Sequence, residues 1–381
     1  MIEAFGSDRW LMRQALVAAR WGLGRCAPNP SVGAAIFSPQ SGILLGRGTT
    51  QPGGRPHAEP VALAMAGDAA RGATMAVTLE PCSHYGRSPP CVNAITKAGI
   101  ARVLYAVVDP DPRVAGRGLD VLTDAGLAVD ACDADLAEEA RWITRGHILR
   151  VTERRPFVQL KLAVGADGRI AEGGNGQPSW VTGPLARNRG HLMRAQADAI
   201  LIGTGTATTD QPSLTTRLPG LHVWSPIRVV VGRRARETAL AGARADSDPL
   251  VWTAGPSIDN AHAVASADTS GHIGVQLVGG HVWLPDLMEN LVARDITRLL
   301  VEGGPVMWRA FATAQLVDEV VLFHAREDRS MPTSEAQAIQ ALSHYIPDIG
   351  LRLAERRAVG GDDMLIYRVP EARGWQSAAK S

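Results

Sequence analysis

Three residues with metal-binding side chains, His57, Cys82 and Cys91, fall in a short stretch of this chain, and a carboxylate, Glu59, stands two residues after the His. One His and two Cys are a donor set for a catalytic zinc, which leaves the fourth tetrahedral position open. Donors this far apart in sequence can meet only if the chain runs out and returns between them, so this spacing constrains the fold more than any other feature. The alternative is two buried cysteines and a surface His, which does not explain three ligand types in this order beside Glu59. Two details are unusual. Eight residues, Ser83 to Pro90, separate the cysteines, and Pro60 follows Glu59 where a helix should begin. Proline is tolerated in a first helical turn, because the N–H it lacks would have no partner there.

The flanking sequence reads as alternating helix and strand. Ser7 is an N-cap for a helix over Asp8–Trp21, with Leu11, Ala15 and Ala18 on one face. Strands are expected at Val32–Phe37 and Ile43–Gly48, joined as a hairpin, then a helix from Glu59 to Ala66. A strand at Ala73–Leu79, a helix over Val92–Ala98 and a strand at Val103–Val108 follow, giving an α/β layered domain. Cys26 and Cys132 belong to no motif and read as small buried hydrophobes.

A chain of 381 residues needs a second domain. The polar segment Val151–Pro156 marks the boundary, so residues 1–150 form one domain, 156–369 another, and 370–381 a disordered tail. Strands of the second half are expected at Phe157–Leu162 and near Ala199–Gly203, Arg228–Val231, Leu250–Thr253, Gly274–Val278, Leu299–Glu302 and Val320–Phe323. Hydrophobic residues at 45% and charged residues at 20% exclude wholesale disorder. With 39 basic and 38 acidic residues, no global field recruits nucleic acid or a membrane surface. No apolar run approaches the ~20 residues of a membrane helix, and the N-terminus lacks the order of a signal peptide. Four cysteines cannot form a disulfide framework, so a reducing cytoplasm is expected.

The first-half pattern has the His-x-Glu and Pro-Cys form of zinc deaminases. The segments Pro28-Asn29-Pro30-Ser31-Val32-Gly33, Pro56-His57-Ala58-Glu59, Thr78 to His84 through Pro89-Pro90-Cys91, and Asp109 to Gly118 resemble the bifunctional riboflavin-biosynthesis deaminase/reductase family. The resemblance implies a cytidine-deaminase-like three-layer α/β/α domain that removes an amino group from a phosphoribosylated diaminopyrimidine. It assigns one Zn2+ per chain to His57, Cys82 and Cys91, and catalytic proton transfer to Glu59. Asn29 stands where family members contact the pyrimidine. His84 is an extra candidate ligand, with a loop or substrate-contact role favoured.

In the second half no Gly-x-Gly-x-x-Gly fingerprint follows a strand, and the residues alone indicate only a ligand-binding α/β domain. Gln159–Leu162, Asp167–Ile170, Trp180–Gly183, Leu192–Ile200 and Val301–Pro305 resemble the reductase half of the same family. That half is similar to dihydrofolate reductase and uses NADPH to reduce the ribose to ribitol. The resemblance implies that Ala163, Trp180, Thr206, Asp210, Gly304 and Pro305 line the cofactor, and that Lys161, Arg194, Leu214, Arg217 and Glu302 contact substrate. Physically, the helix opened by Gly303-Gly304-Pro305 can hold a phosphate on its first N–H groups. Arg194 and Arg217 can each clamp a phosphate with two nitrogens, and Glu302 can accept from sugar hydroxyls. The family's reductase half pairs with itself, which implies a homo-oligomer acting on small phosphoribosyl pyrimidines.

Departures from the family pattern occur at Pro178, Gln211, Gly232, Arg233 and after Phe323. They leave open a second reading, a zinc deaminase whose reductase half is weakened or only binds ligand. A nucleic-acid deaminase would need a basic, aromatic-bearing surface, which the charge balance and 5% aromatics do not suggest.

Overall fold

A computed structural model describes residues 4–171, 180–235, 251–256, 272–327 and 331–370. Contacts divide the chain into two compact units, Met1–Pro156 with Asp295–Thr297, and Phe157–Arg294 with Arg298–Ser381.

The first unit runs α1 (Asp8–Trp21), β1 (Gly33–Ser38), β2 (Ile43–Thr49), α2 (Ala58–Ala66), β3 (Thr74–Val77), α3 (Cys91–Ala98), β4 (Arg102–Tyr105), α4 (Arg117–Asp124), β5 (Ala128–Ala131) and α5 (Ala134–Thr152). Ser7 caps α1 by accepting from the Trp10 N–H at 3.2 Å, as expected, and Leu11, Ala15 and Ala18 are buried. The sheet order is β2-β1-β3-β4-β5, with β1 antiparallel to both neighbours and β3, β4 and β5 parallel. Two glycines show why helices cover both faces. A Cβ on Gly33 would lie 1.9 Å from the Ala15 carbonyl oxygen of α1, and one on Gly48 2.2 Å from the Ala58 carbonyl oxygen of α2. Gly48 pairs with Ala34, the neighbour of Gly33, and successive residues point to opposite faces. Helices α1 and α2 therefore press on opposite faces, giving three layers.

The second unit contains β6 (Phe157–Val164), α6 (Pro184–Ala195), β7 (Ala199–Gly203), α7 (Thr204–Asp210), β8 (Ile227–Val231), β9 (Val251–Pro256) and β10 (His272–Val275). After a short hairpin of β11 (Leu277–Val278) and β12 (His281–Val282) come α8 (Leu284–Ala293), β13 (Arg298–Val301), α9 (Pro305–Thr313), β14 (Glu319–Ala325), α10 (Glu335–Ser343), β15 (Arg352–Val359) and β16 (Asp362–Arg368). Nine strands form one sheet in the order β10-β9-β8-β7-β13-β6-β14-β16-β15. Strands β10 through β14 are parallel, while β16 and β15 add antiparallel at one edge. The central strands are short and nearly all apolar, as parallel strands covered on both faces must be.

The strand expected over Gly274–Val278 is β10 ending at Val275, followed by separate β11. Helices α4 and α5 and strands β5, β15 and β16 were not anticipated. Cys26 is buried, but Cys132 is only half-buried, its thiol donating to the Asp133 carbonyl at 3.4 Å. Pro178, Leu250 and residues 371–381 lie outside the described residues.

Candidate active sites

In the first unit, α2 begins at Ala58, which makes His57 its N-cap residue and puts Glu59 in the first turn with Pro60 behind it. Helix α3 starts at Cys91 itself, one residue before its expected start. Cys82 lies in the loop after β3, and the Cys91 backbone N–H donates to its sulfur at 3.4 Å. His57 Nδ1 is 3.4 Å from Cys91 Sγ and 3.7 Å from Cys82 Sγ, and the three donor atoms all lie within 4.8 Å of one another. Ordinary Zn–N and Zn–S bonds at a tetrahedral angle place such atoms about 3.6 Å apart. The donors therefore stand at ligand spacing, and the set fits zinc.

The electrostatics agree with that fit. The hydrogen bond from Cys91, outweighing burial and joined by His57, holds the Cys82 thiol down at about 4. The same hydrogen bond, with burial, pushes Cys91 up. Cysteine binds a dication as thiolate, so metal binding at this pair would release the protons the sulfurs carry. His57 is raised chiefly by its contact with Cys82. Glu59 is 3% exposed, and burial pushes its carboxyl up against the opposing pull of His57. Asn29 borders the cluster: its Nδ2 donates to the Gly54 carbonyl at 2.8 Å and lies 3.3 Å from His57 Nε2. His84 is not among the converging donors. Its Nδ1 is buried with no hydrogen-bond partner among the described residues.

One supporting residue has no role in the sequence reading. Glu80 is buried and accepts three backbone N–H groups, from Asp109 (3.2 Å), Gly116 (2.9 Å) and Gly118 (2.8 Å). It fastens the Asp109–Gly118 loop behind Cys82. An acidic residue between apolar Leu79 and Pro81 was the available signal, since a buried carboxylate must find donors.

In the second unit, the parallel neighbours β13 and β6 carry the other cluster. Glu302 follows β13, and Arg194 from α6 grips it with two bonds, Nε to Oε1 and Nη2 to Oε2, each 2.8 Å. Arg194 Nη1 donates to the Thr215 carbonyl at 3.0 Å. Lys161 of β6 brings its Nζ to 3.9 Å from Glu302, passing beneath Gly190 of α6, where a Cβ would be 3.3 Å from Lys161 Cε. Burial alone would push Glu302 up, but Arg194 and Lys161 overcome it and hold the carboxyl at about 2.

Two of the expected substrate residues are engaged elsewhere in this structure. Arg194 does not offer a free fork to a phosphate, because Glu302 and Thr215 occupy it. The Leu214 side chain is 2% exposed and packs in the core with Ile200, Ile202 and Val230, so its side chain faces no open site. Arg217 is exposed, its Nη1 3.3 Å from the Ser213 hydroxyl and its Nε 3.4 Å from His191 Nε2. His191, three residues before Arg194 and so on the same helical face, has no part in the sequence expectations, although that spacing is its signal.

The residues assigned to a cofactor form one close group and some outliers. A Cβ on Gly304 would meet only Thr206 Oγ1, at 4.0 Å, and one on Gly205 nothing within 4 Å. Pro305 opens α9 beside them. This open backbone at the carboxyl ends of parallel strands suits the phosphates of a dinucleotide, and the set fits NADPH. Trp180 is exposed and stacked by the Arg187 guanidinium at 5.0 Å. Asp210 ends α7 at the surface, and Ala163 is half-buried in β6. No described helix is long and apolar enough to cross a membrane.

Comparison with known proteins places both halves. The family described as the cytidine and deoxycytidylate deaminase zinc-binding region matches residues 6–107, and the RibD C-terminal domain family matches residues 156–325. Riboflavin biosynthesis protein RibD of Escherichia coli is 38% identical over 330 residues, covering 84% of this chain and 87% of its own. The RibD of Corynebacterium ammoniagenes is 37% identical, covering 88% and 90%. Among solved structures, a diaminohydroxyphosphoribosylaminopyrimidine deaminase/5-amino-6-(5-phosphoribosylamino)uracil reductase from Thermotoga maritima superposes with a TM-score of 0.75 at 30% identity, covering 94% of this chain and 97% of that one. Acinetobacter baumannii RibD gives 0.73 at 29%, covering 95% and 98%.

Proposed function

Because this chain belongs to the RibD family of riboflavin biosynthesis proteins, we propose that it catalyses two successive steps on one small phosphoribosyl pyrimidine. The first is hydrolytic removal of an amino group from a diaminopyrimidine in a domain over residues 1–150. The second is reduction of the ribose to ribitol in a domain over residues 156–369. The convergence of His57 Nδ1 and two cysteine sulfurs beside a buried Glu59 carries the reading. When bound by His57, Cys82 and Cys91, zinc supplies the Lewis acidity that makes water nucleophilic near neutral pH. Glu59 takes a proton from the attacking water and delivers it to the departing amine. Its buried position, which raises its carboxyl, suits a group that must both accept and give up that proton. Asn29, held by Gly54 next to His57, orients the pyrimidine ring.

In the second domain NADPH supplies the hydride. Gly304, Thr206 and the first N–H groups of the helix that Pro305 opens would hold its phosphates, and Trp180, Ala163 and Asp210 would border it. Lys161 and Glu302 face the ribose, the ammonium placed to steady negative charge on the reacting oxygen and Glu302 to accept from sugar hydroxyls. Arg194 holds Glu302 in place. The intact Lys161–Glu302–Arg194 cluster favours a working reductase over a domain that only binds ligand. The enzyme acts in the cytoplasm and assembles through its reductase domain. Purified protein is given the diaminopyrimidine substrate with and without NADPH, and the products are identified by mass. The deaminated ribosyl compound should form without NADPH and the ribityl compound with it. Recovery of unchanged substrate under both conditions would overturn the proposal.

A further inference from the structure

The loop bearing Arg217 is built rather than loose. Buried Arg228 donates to the Ser213 carbonyl at 3.4 Å, Arg194 to the Thr215 carbonyl, and the Ser225 hydroxyl accepts from the Thr216 N–H at 2.9 Å. From this loop the Arg217 side chain reaches back to α6, where its Nε lies 3.4 Å from His191 Nε2. The Ser213 hydroxyl sits 3.3 Å from Nη1, and Nη2 makes no hydrogen bond among the described residues. With Arg194 bound to Glu302, Arg217 is the guanidinium of this cluster that remains open to an anion. Arg217 and Lys161 leave the cluster with an excess of positive charge that a phosphate monoester, about −1.5 to −2 at neutral pH, would offset.

We infer that His191 is a positioning residue for substrate phosphate: its uncharged ring accepts the Arg217 Nε–H and aims the two terminal guanidinium nitrogens at the phosphate monoester. This rests on the reductase reading above and adds the residue that sets its phosphate specificity. Arg217 reaches both ring nitrogens, its Nε 3.4 Å from Nε2 and its backbone nitrogen 3.4 Å from Nδ1. A neutral imidazole accepts at one of them, and the proposed role takes Nε2 as that acceptor. The charges facing the ring are Arg194 on its own helix, Arg217 on the loop and Glu302 after β13. Burial first, then the two guanidiniums, hold His191 down at about 4, so it is an acceptor throughout the neutral range. A guanidinium fixed at Nε keeps a planar pair of N–H donors in the arrangement that phosphate oxygens match.

The test is direct binding of ribose 5-phosphate and of ribose to the full chain by calorimetry, with NADPH affinity measured on the same samples to report an intact second domain. His191→Leu and His191→Met should weaken ribose 5-phosphate about tenfold or more and leave ribose unchanged. His191→Gln, whose amide oxygen can still accept from Arg217, should stay within about threefold of wild type. Arg217→Met tests the underlying reading, and should abolish the preference for the phosphorylated sugar. If Arg217→Met abolishes it while the Leu and Met variants bind like wild type, the role given to His191 is wrong. A His191→Gln protein that binds NADPH but loses the preference would also overturn it. If Arg217→Met keeps the preference, the phosphate site itself lies elsewhere.

Discussion

Glu59 sits in an almost closed pocket beside two sulfurs and an imidazole, so an amide in its place keeps the shape and removes only the proton traffic. Glu59→Gln should keep zinc, lose deamination by about 10,000-fold, and leave reduction of already deaminated substrate unchanged. A variant that deaminates within tenfold of wild type would transfer the proton-moving role to another group, such as His84. At Glu302 the same kind of side chain is held charged instead. Its folded value of about 2 lies below the ordinary 4.5, so its charged form adds stability above about pH 4.5 that is lost as pH falls toward 2. Urea titrations should therefore show wild type more stable than Glu302→Gln by roughly 3 kcal/mol at neutral pH, with the gap closing between pH 4.5 and 2. A gap that is constant with pH would remove the Arg194–Glu302 pair as its source. Legibility at this scale followed locality. His57, Glu59, Cys82 and Cys91 could be read because metal chemistry restricts residue type. Arg194's commitment to Glu302 could not, because its partner lies on another element more than a hundred residues away.

Elements carry the site as much as side chains do. Helix α2 holds His57 and Glu59 against β2 at a distance that Gly48 permits, and α1 lies on the opposite face over Gly33. Both Gly→Ala substitutions force backbone apart and should cost about 1–3 kcal/mol or more in denaturation. Their effects on function should differ. Gly48→Ala displaces the helix with the donor and should weaken zinc retention against a chelator, whereas Gly33→Ala should lower stability alone. Equal zinc loss in the two would mean the site depends on the whole layer rather than on α2. As far as β4, the first-half strands and helices are legible from apolar periodicity and caps such as Ser7, whereas α4 and α5 are not. Strand β5 escaped because its four residues, Ala128–Ala131, are an edge with almost no buried face. Strand β15 escaped because Arg352–Val359 is charged, alternates in exposure, and resembles a helix former in composition. Its identity comes from pairing with β16, a tertiary cause.

Across the whole molecule, two sites in two compact units predict separable losses. Purified protein should carry one zinc per chain by elemental analysis, and Cys82→Ser should lose the metal and deamination while NADPH-dependent reduction continues. Loss of both activities together would show that reduction needs the metal-bearing unit. The position of β6 has a different consequence, for synthesis. It is the first strand of the second unit, yet its partners β13 and β14 arrive more than a hundred residues later. At ribosomal speed an apolar strand therefore waits unpaired for on the order of 10 s. During that interval the emerging polypeptide already bears a first unit whose own strands are all made, trailing a segment with nothing to bind. This gene product is thus most exposed to aggregation and chaperone capture in mid-translation, with its metal-bearing half complete and its reductase half still waiting for its centre.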